Sequence, residues 1–379
     1  MQKVFYWCPF ISKVATIRAV IKSAQSLKKY SNKKYEPTII NVAGEWNEFK
    51  KNNELDIKIV DLNNSLILDN RVWTGYVKSR LVYIYIFFIS FFPLIKLIKN
   101  QKPDFFIIQL ITSLPLFLNC IFNFKTKMIL RISGIPKLNI IRKFYWKFTL
   151  KKINLITTPT KGTFDDLIQK NFDKKKLRIL HDPIITPSEI IKKKKIELKE
   201  FEKDYFISIG RFTKQKNFKF LVKSIAPLIK INSEIKLYIF GDGEQKNEIN
   251  DLILKLNLRN NIMLLPFQNN IYNYINNSRG LILSSLWEDP GFVLIEAAYL
   301  NTPILSSDCK NGPEEILDYG NNGILFENNN ENSFREKFNI FHKLDQKKKQ
   351  EYTLNAKKNV KKFSFFSHYK ALRKILESI

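Results

Sequence analysis

Cysteine is scarce in this chain, and its few cysteines are far apart. The 379 residues include three, Cys8, Cys120 and Cys309, whose separations match no metal-ligand spacing. They cannot form a disulfide framework, so we expect a reducing compartment, with each cysteine a small buried hydrophobe. Residues 1–10 also lack a basic start followed by a long apolar run. A secretory signal needs both features, so we expect the protein to remain in the cytoplasm.

Glycine and proline are also scarce, with 12 and 14 copies. That composition excludes collagenous and low-complexity disordered chains. Hydrophobic residues make up 45% of the sequence, which is enough for a sizeable core. Because 379 residues exceed the roughly 100 to 200 of a single domain, two globular domains are expected.

Acidic residues are few relative to basic ones. Lys and Arg number 63 and Asp and Glu 35, a formal net charge of +28. A positive field of this size attracts nucleic acid, anionic lipid or phosphorylated metabolites. Lys is accompanied by abundant Asn, Ile and Phe, as AT-rich codon usage would produce, so surplus lysine on solvated faces is the other interpretation. The charge alone does not identify a partner.

One apolar run, residues 81–95, has fifteen uncharged residues, with Pro93 near its end. A membrane-spanning helix needs about 20 apolar residues, so we expect a buried helix or one lying on a membrane surface, with a span as the weaker alternative. Apolar character on all sides is typical of a helix covered on both sides. Basic residues flank the run and leave contact with anionic lipid open: Lys78, Arg80, Lys96 and Lys99.

Short apolar runs recur along the chain, separated by segments of helix length. That pattern is typical of a parallel sheet covered by helices on both faces. The first series of predicted strands is 4–6, 38–42, 57–60, 105–108, 127–132, 155–158 and 177–180. The second series is 205–209, 236–240, 262–265, 280–283, 303–306 and 323–326. Together they predict an α/β protein with two Rossmann-like, doubly wound parallel-sheet domains facing across a cleft.

A charged stretch separates the two series. Residues 192–203 include four adjacent lysines, which repel one another and favour a solvated linker or an exposed helix. We therefore predict a first domain over 1–185, a linker over 186–203 and a second domain over 204–350. Residues 351–379 are expected to form a helical tail with an apolar face, for which the first domain is a candidate packing surface.

Ligands of open parallel sheets bind beyond the carboxyl ends of the strands. The turn after the first strand of the second series contains Gly210, Arg211, Lys216 and Asn217. Arg offers planar bidentate hydrogen bonds and Lys a mobile charge, a pair that suits a diphosphate. Two basic residues in so basic a chain also arise by chance. The turn after the next strand, Gly241-Asp242-Gly243, either contacts a ligand or only requires positive φ.

The strongest signal in the sequence is the segment 284–298. A helix is predicted to begin near Gly291 or Phe292, and the amino end of a helix binds anions such as phosphates. Glu288 precedes this helix and Glu296 lies more than one turn inside it, so the two carboxylates can hold hydroxyl pairs at the two ends of an extended ligand. The alternative is that Glu288 only favours the helix amino end and that Glu296 is a solvated surface residue.

At these residues the chain resembles the retaining, nucleotide-sugar-dependent glycosyltransferases of family 4, which have the two-Rossmann GT-B fold. The resemblance covers most of the second domain, and its specificity comes from the order of the motifs at successive strand-to-helix junctions. The motifs are Gly210-Arg211 with Lys216-Asn217, Gly241-Asp242-Gly243, Glu288 and Glu296 with seven residues between them, Thr302-Pro303-Ile304, Gly312-Pro313-Glu314-Glu315-Ile316 and Gly320-Asn321-Asn322-Gly323-Ile324-Leu325-Phe326.

The resemblance implies a role for each donor-side residue. Arg211 and Lys216 would bind the donor diphosphate and stabilise the departing nucleotide, and Glu288 would contact the sugar hydroxyls, which makes these three the implied catalytic residues. Glu296 would hold the ribose hydroxyls, and the base would rest against the backbone around Pro266 and Phe267. The implied donor-binding set is Gly210, Arg211, Lys216, Asn217, Gly241, Phe267, Glu288, Gly291, Phe292, Val293 and Glu296.

The resemblance also implies a reaction. A sugar would pass, with retained configuration, from a nucleotide-diphosphate sugar to a hydroxyl of a glycan or lipid-linked acceptor, with no metal ion or cofactor. The stretch 131–142 looks like a subgroup that builds bacterial surface polysaccharides such as lipopolysaccharide, which would place the protein at the inner face of the cytoplasmic membrane. An epimerase or phosphorylase of the same fold is the alternative. A protein that binds nucleic acid is less favoured, because no recognition motif accompanies the charge.

The first series departs from the family pattern, so the acceptor side is less well defined. Relatives often carry a Gly-rich loop where this chain has residues 11–16, and a His near the position of Arg131 and Ser133. The acceptor-side candidates are Arg131, Ser133 and His181, and a structural role is the alternative for His181. The other histidines, His342 and His368, lie in surface-like helical sequence and are expected to have no special role. Asn301 replaces a typical Gly and should adopt a left-handed conformation.

Overall fold

The structure, a computed structural model, describes residues 1–11, 15–51, 55–68, 76–134, 140–195 and 204–379. The chain divides into two compact units. The first contains Met1–Pro159, Thr163–Pro183 and Phe365–Ile379, and the second contains Thr160–Gly162 and Ile184–Ser364. Parts of three predicted segments lie outside the described residues: 12–14 of the loop 11–16, 135–139 of the stretch 131–142, and 196–203 of the linker.

Seven parallel strands form the sheet of the first unit. They are β1 (Gln2–Trp7), β2 (Tyr35–Asn41), β3 (Lys58–Asp61), β4 (Phe105–Ile108), β5 (Lys127–Arg131), β6 (Leu155–Thr158) and β7 (Leu177–Ile179). Their order across the sheet is 3-2-1-4-5-6-7, with every neighbouring pair parallel. Each overlaps a predicted strand, because strands covered on both faces read as unbroken apolar runs.

Helices cover both faces of this sheet. They are α1 (Ala15–Tyr30), α2 (Asn47–Lys51), α3 (Tyr76–Gln101), α4 (Ser113–Phe122), α5 (Ile140–Thr149) and α6 (Lys161–Gln169). Side chains alternate along β1, so that Phe5 and Trp7 join the core under α3, α4 and α5, whereas Val4 and Tyr6 join the core under α1. The first unit therefore has two apolar cores, one on each face of its sheet.

Helix α3 contains the apolar run 81–95 and extends beyond it at both ends, with Pro93 inside the helix. It is the one described helix long and apolar enough to cross a membrane, and 28% of its most apolar stretch is buried. A stripe of Val82, Ile86, Leu94 and Ile98 packs into the core. The expectation of a helix covered on both sides is wrong within this chain, because the face opposite this stripe is exposed.

The second unit has a sheet of six parallel strands. They are β8 (Phe206–Ile209), β9 (Leu237–Phe240), β10 (Ile262–Leu265), β11 (Gly280–Leu283), β12 (Ile304–Ser307) and β13 (Ile324–Phe326), in the order 10-9-8-11-12-13. All neighbouring pairs are parallel. The predicted fold class, α/β with two Rossmann-like parallel sheets, is confirmed. The carboxyl ends of all six strands meet at one edge, which positions the turns of interest.

The helices of the second unit are α7 (Pro187–Lys194), α8 (Phe218–Ile231), α9 (Lys246–Lys255), α10 (Tyr272–Asn277), α11 (Phe292–Tyr299), α12 (Pro313–Ile316), α13 (Glu331–His342) and α14 (Gln346–Val360). Helices α8, α9 and α13 share one core, and the others share the core on the opposite face. Asn301 has the predicted left-handed conformation, with φ of 59°, just beyond α11. The last helix, α15 (Phe365–Glu377), belongs to the first unit, so the predicted tail is divided between the units.

The cysteines follow the expectation in two of three cases. Cys8 and Cys309 are buried, and burial raises the pKa of the Cys309 thiol to about 12. Cys120 is only partly buried, because it lies near the carboxyl end of α4, where the helix reaches the surface. For Cys120, the prediction of a buried hydrophobe is therefore wrong.

Candidate active site

The turns after β8 and β9 lie against each other, backbone on backbone. A Cβ atom at Gly241 would come within 1.9 Å of the Gly210 carbonyl oxygen, and one at Gly243 within 2.6 Å of the Phe212 carbonyl oxygen. No side chain fits in either place. Backbone hydrogen bonds from Gly210 N to the Phe240 carbonyl and from Phe212 N to the Asp242 carbonyl join the two turns. The close packing of the two turns therefore requires glycine at Gly241 and Gly243, independently of any ligand.

A partly buried ion pair connects the turn after β8 with the loop after β11. The Lys216 ammonium donates to Glu288 Oε1 over 2.5 Å, and the two side chains are 17% and 6% exposed. The aliphatic part of Lys216 lies over Gly210, where a Cβ would come within 3.0 to 3.2 Å of it. The structure therefore brings together three predicted site residues from two adjacent strand ends.

Serine hydroxyl groups hold this pair in place. Ser285 Oγ donates to Glu288 Oε1 over 2.6 Å, and Ser307 Oγ donates to the Ser285 carbonyl over 2.7 Å. Ser284 Oγ donates to the Lys216 carbonyl over 2.9 Å. All three serines are buried. The Glu288 carboxylate consequently has two donors on one oxygen, which fixes its orientation.

Helix α11 begins beside Glu288. Gly291 precedes its first residue with φ of 92°, in the left-handed region that favours glycine. A Cβ built on Gly291 would lie 3.5 Å from Glu288 Cγ. Phe292 and Val293 lie in the first turn of the helix. Their backbone amides therefore have no hydrogen-bond acceptor within the helix. The amino end of α11 therefore contributes partial positive charge next to the Lys216–Glu288 pair.

Glu296 lies inside α11 and is 2% exposed. Tyr272, the first residue of α10, donates its hydroxyl to Glu296 Oε1 over 3.3 Å. The interpretation of Glu296 as a solvated surface residue is wrong, because α10 covers its side of the helix. A buried carboxylate that is held by a tyrosine hydroxyl is a built feature of the fold and not a surface charge.

Other predicted donor-side residues lie at the same sheet edge but are less constrained. Arg211 is exposed in the turn next to Gly210, and Phe267 is 73% exposed after β10, two strands away from β8. Asn217 has φ of 54° at the start of α8, and its side-chain amide donates to Asn329 Oδ1. The Asn217 side chain thus has a structural partner within the unit.

The acceptor-side candidates belong to the first unit. The Arg131 guanidinium is buried, donating to the Leu180 carbonyl over 2.5 Å and to Asp182 Oδ1 over 2.6 Å. The adjoining cavity holds about 20 Å³, which is enough for one water molecule and too little for a sugar. This geometry favours a structural role for Arg131. Ser133, two residues on, is exposed, and His181 Nδ1 donates to the Pro159 carbonyl.

His368 is buried in the same network, so the expectation of a surface histidine is wrong. Its Nδ1 lies 2.6 Å from the His181 carbonyl and therefore carries the proton, which leaves Nε2 to accept from Ser23 Oγ at 2.8 Å. Burial lowers the pKa of His368 to about 3. The sequence feature that indicates this burial is the position of His368 beside Tyr369 on the apolar face of α15.

Sequence reasoning also missed Ser285 and Tyr272. Serine three residues before a glutamate in a loop has no distinctive pattern, and Tyr272 is 24 positions from the residue it contacts. Within the described ranges, no group of three or more His, Cys, Asp or Glu side chains is placed to hold a metal ion.

Several known proteins are similar to this chain in sequence. Residues 189–359 match the family model described as glycosyl transferases group 1. An uncharacterised glycosyltransferase of Methanocaldococcus jannaschii is 30% identical over 328 residues, which cover 80% of this chain and 77% of that protein. An enzyme of Campylobacter jejuni is 30% identical over 251 residues, covering 64% of this chain and 67% of the enzyme. It is named N-acetylgalactosamine-N,N'-diacetylbacillosaminyl-diphospho-undecaprenol 4-alpha-N-acetylgalactosaminyltransferase.

A solved structure matches over the whole chain. The HepE protein of Anabaena, crystallised in complex with UDP, aligns with a TM-score of 0.72, covering 100% of both chains at 14% identity. At this identity the likeness concerns the fold alone.

Proposed function

The chain belongs to the group 1 glycosyltransferases, and we propose that it transfers a sugar from a nucleotide-diphosphate sugar to a hydroxyl of a lipid-linked glycan. The anomeric configuration of the sugar is retained, and no metal ion takes part. The observation that carries this proposal is the Lys216–Glu288 pair beside the amino end of α11. It combines a cation, a carboxylate and helix amides at one edge of the sheet.

The donor diphosphate would bind between three positive groups. Lys216 and Arg211 come from the turn after β8, and the helix amides at Phe292 and Val293 come from the adjacent strand end. Arginine and lysine form charge-assisted hydrogen bonds with phosphate oxygens, and helix amino ends stabilise anions. The Lys216 ammonium is also the hydrogen-bond partner of Glu288 Oε1. Binding of the diphosphate to Lys216 would free the Glu288 carboxylate from the ammonium, and Glu288 would then accept hydrogen bonds from the sugar hydroxyls.

The proposed reaction depends on stabilising the departing nucleotide. The bond between the anomeric carbon and the diphosphate oxygen breaks, and its electron pair goes to the diphosphate. The acceptor oxygen bonds to the anomeric carbon on the face that the nucleotide leaves, and its proton passes to the departing phosphate oxygen. Lys216 and Arg211 stabilise the negative charge that develops there, the role a divalent cation plays elsewhere.

A lipid diphosphate-linked glycan is the proposed acceptor. The Campylobacter jejuni relative is named for an acceptor carried on diphospho-undecaprenol, and it shares 30% of its residues over two thirds of its length. We propose that the enzyme meets this acceptor in the cytoplasm, at the inner face of the membrane, as a step of cell-surface polysaccharide synthesis.

Thermal-shift measurements with UDP, GDP and ADP and their sugars test the donor assignment. A ligand that binds only the native state raises the melting temperature, and we expect this for one nucleotide family, with and without EDTA. Transfer to a short diphospho-lipid glycan, followed by NMR of the product anomer, tests retention. No shift with any nucleotide would contradict the proposal, and release of a free epimer without acceptor would favour an epimerase.

A further inference from the structure

An unusual number of large apolar side chains is exposed on one helical layer of the first unit. On α3, the residues opposite the buried stripe are exposed, with Phe92 at 77%. On α5, exposed apolar residues recur every four positions, with Ile140 at 87% and Phe144 at 76%. We call this set the apolar helical surface: Leu81, Ile84, Tyr85, Phe88, Phe92, Ile121, Phe122, Ile140, Phe144 and Phe148.

The three helices that carry this surface are neighbours. The Phe117 ring of α4 packs against Phe87 and Phe91 of α3, with centroids 5.8 and 6.4 Å apart. Tyr145 of α5 donates its hydroxyl to the Ser113 carbonyl of α4. The inner faces of all three helices join one core on one face of the sheet. The exposed residues therefore lie on the outer side of a single layer.

An exposed apolar surface of this size is expected to be covered by an apolar partner when the protein functions. Monomeric soluble proteins rarely expose contiguous apolar patches of more than a few hundred Å². Scattered single residues need no explanation, but ten on three adjacent helices do. The remaining question is what covers them.

Charge identifies the occupant. The three helices that carry the surface, α3, α4 and α5, contain seven Lys or Arg residues and no Asp or Glu. On α5 itself, Lys143 and Lys147 are exposed beside the exposed phenylalanines. Basic residues interleaved with Phe and Ile, without acidic residues, are typical of helices that lie in the interface of an anionic bilayer.

We propose that the apolar helical surface docks on an anionic phospholipid bilayer, with α3 and α5 lying in the interface plane. Helix α3 lies on the membrane and does not cross it, because Val82, Ile86, Leu94 and Ile98 hold its inner face in the core. The proposal concerns the first unit and does not depend on the donor site. Docking brings the enzyme to the leaflet in which a lipid-linked acceptor resides.

The test is co-sedimentation of the full chain with vesicles of phosphatidylcholine alone or with about one third phosphatidylglycerol. We expect binding to the anionic vesicles, weakened at high salt. Serine at Phe88, Phe92, Phe144 and Phe148 together should raise the lipid concentration for half-binding at least about tenfold, the effect of one buried Phe side chain. These side chains are exposed, so the melting temperature should not change.

Two further variants complete the test. The control Ile231→Ser removes an 85% exposed side chain of the second unit and should leave vesicle binding unchanged. Lys143→Gln with Lys147→Gln should weaken binding to anionic vesicles and remove much of its salt dependence. Unchanged binding of the four-serine variant would overturn the proposal. So would a wild-type dimer that the four-serine variant converts to monomer in sedimentation equilibrium, because the surface would then cover a second copy of the chain.

Discussion

The Lys216 ammonium and the Glu288 carboxylate lie 2.5 Å apart in a nearly buried position, although 72 residues separate them in the sequence. Each is proposed to bind a different part of the donor, the diphosphate for Lys216 and the sugar for Glu288. In the structure, the two opposite charges form one ion pair. Any variant that removes one of them therefore changes stability as well as binding, and the two effects have to be separated.

Lys216→Met should destabilise the protein by about 3 kcal/mol, because it leaves a buried carboxylate without its cation. The double variant Lys216→Met with Glu288→Gln removes both charges and should recover to within about 1 kcal/mol of wild type. Both variants should bind the nucleotide at least about tenfold more weakly, since a charge-assisted phosphate bond is lost. Chemical denaturation and calorimetry measure the two quantities. Wild-type affinity in the stable double variant would contradict the proposed role of Lys216.

Ser285→Ala should lower the transfer rate more than it lowers affinity for the free nucleoside diphosphate. Ser285 orients Glu288, which is proposed to contact the sugar and not the nucleotide. Loss of this hydrogen bond to a charged carboxylate should lower the free energy of unfolding by about 1.5 to 3 kcal/mol. The control is Ser224→Ala, since Ser224 Oγ is buried with no hydrogen-bond partner among the described residues, and it should be neutral. An equal loss of rate in both variants would show a general packing effect.

Tyr272→Phe should weaken nucleotide binding about tenfold or less, because the Glu296 carboxylate loses the donor that holds it toward the proposed ribose position. Tyr205→Phe is the matched control in the same unit. Tyr205 donates its hydroxyl to the Tyr274 carbonyl and should affect stability without affecting affinity. Calorimetric titration of both variants decides whether Tyr272 acts through Glu296.

His368 should make the protein less stable in acid. Its pKa is about 3 in the folded state and 6.5 in its unperturbed state, so the unfolded chain binds the proton more tightly. Stability therefore falls as the pH drops from 6.5 towards 3, by up to about 1.4 kcal/mol per pH unit. Burial is the main cause of the low pKa; the hydrogen bond to the His181 carbonyl opposes it, and the charges of Arg131 and the His181 ring lower the pKa further.

The His368→Gln variant isolates this contribution. Glu45 has its pKa raised to about 7 by burial, and it contributes the opposite slope between pH 4.5 and 7. Subtracting the unfolding free energies of wild type and variant removes that background. The variant should be less stable at pH 8, and the difference should shrink on acidification. A difference that is constant between pH 8 and 5 would show that His368 is not buried in its neutral form.

Strand and turn positions were predictable because their determinants are local. All thirteen strands within the described residues overlap predicted ones, since strands of a sheet buried on both faces must be apolar throughout. Gly210, Glu288 and Gly291 were found because parallel strands place their carboxyl-end turns at one edge, so position along the chain already implied position in space. The burial of His368 was not predicted, although its spacing from the apolar residues of α15 indicates that it lies on the buried face.

The partners of these residues were not predictable from the sequence. That Ser285 and Lys216 meet on one oxygen of Glu288, and that Tyr272 reaches Glu296, depends on distances between loops and helices of different strands. The exposed face of α3 was also beyond sequence reasoning, because an apolar helix looks the same whether one face or both are covered. The order of residues along the chain determined the two sheets and the edge where the chemistry lies, because hydrophobic pattern and turn residues act locally. Only the tertiary structure decided which charges pair and which apolar face remains open, because both depend on contacts between segments far apart in sequence.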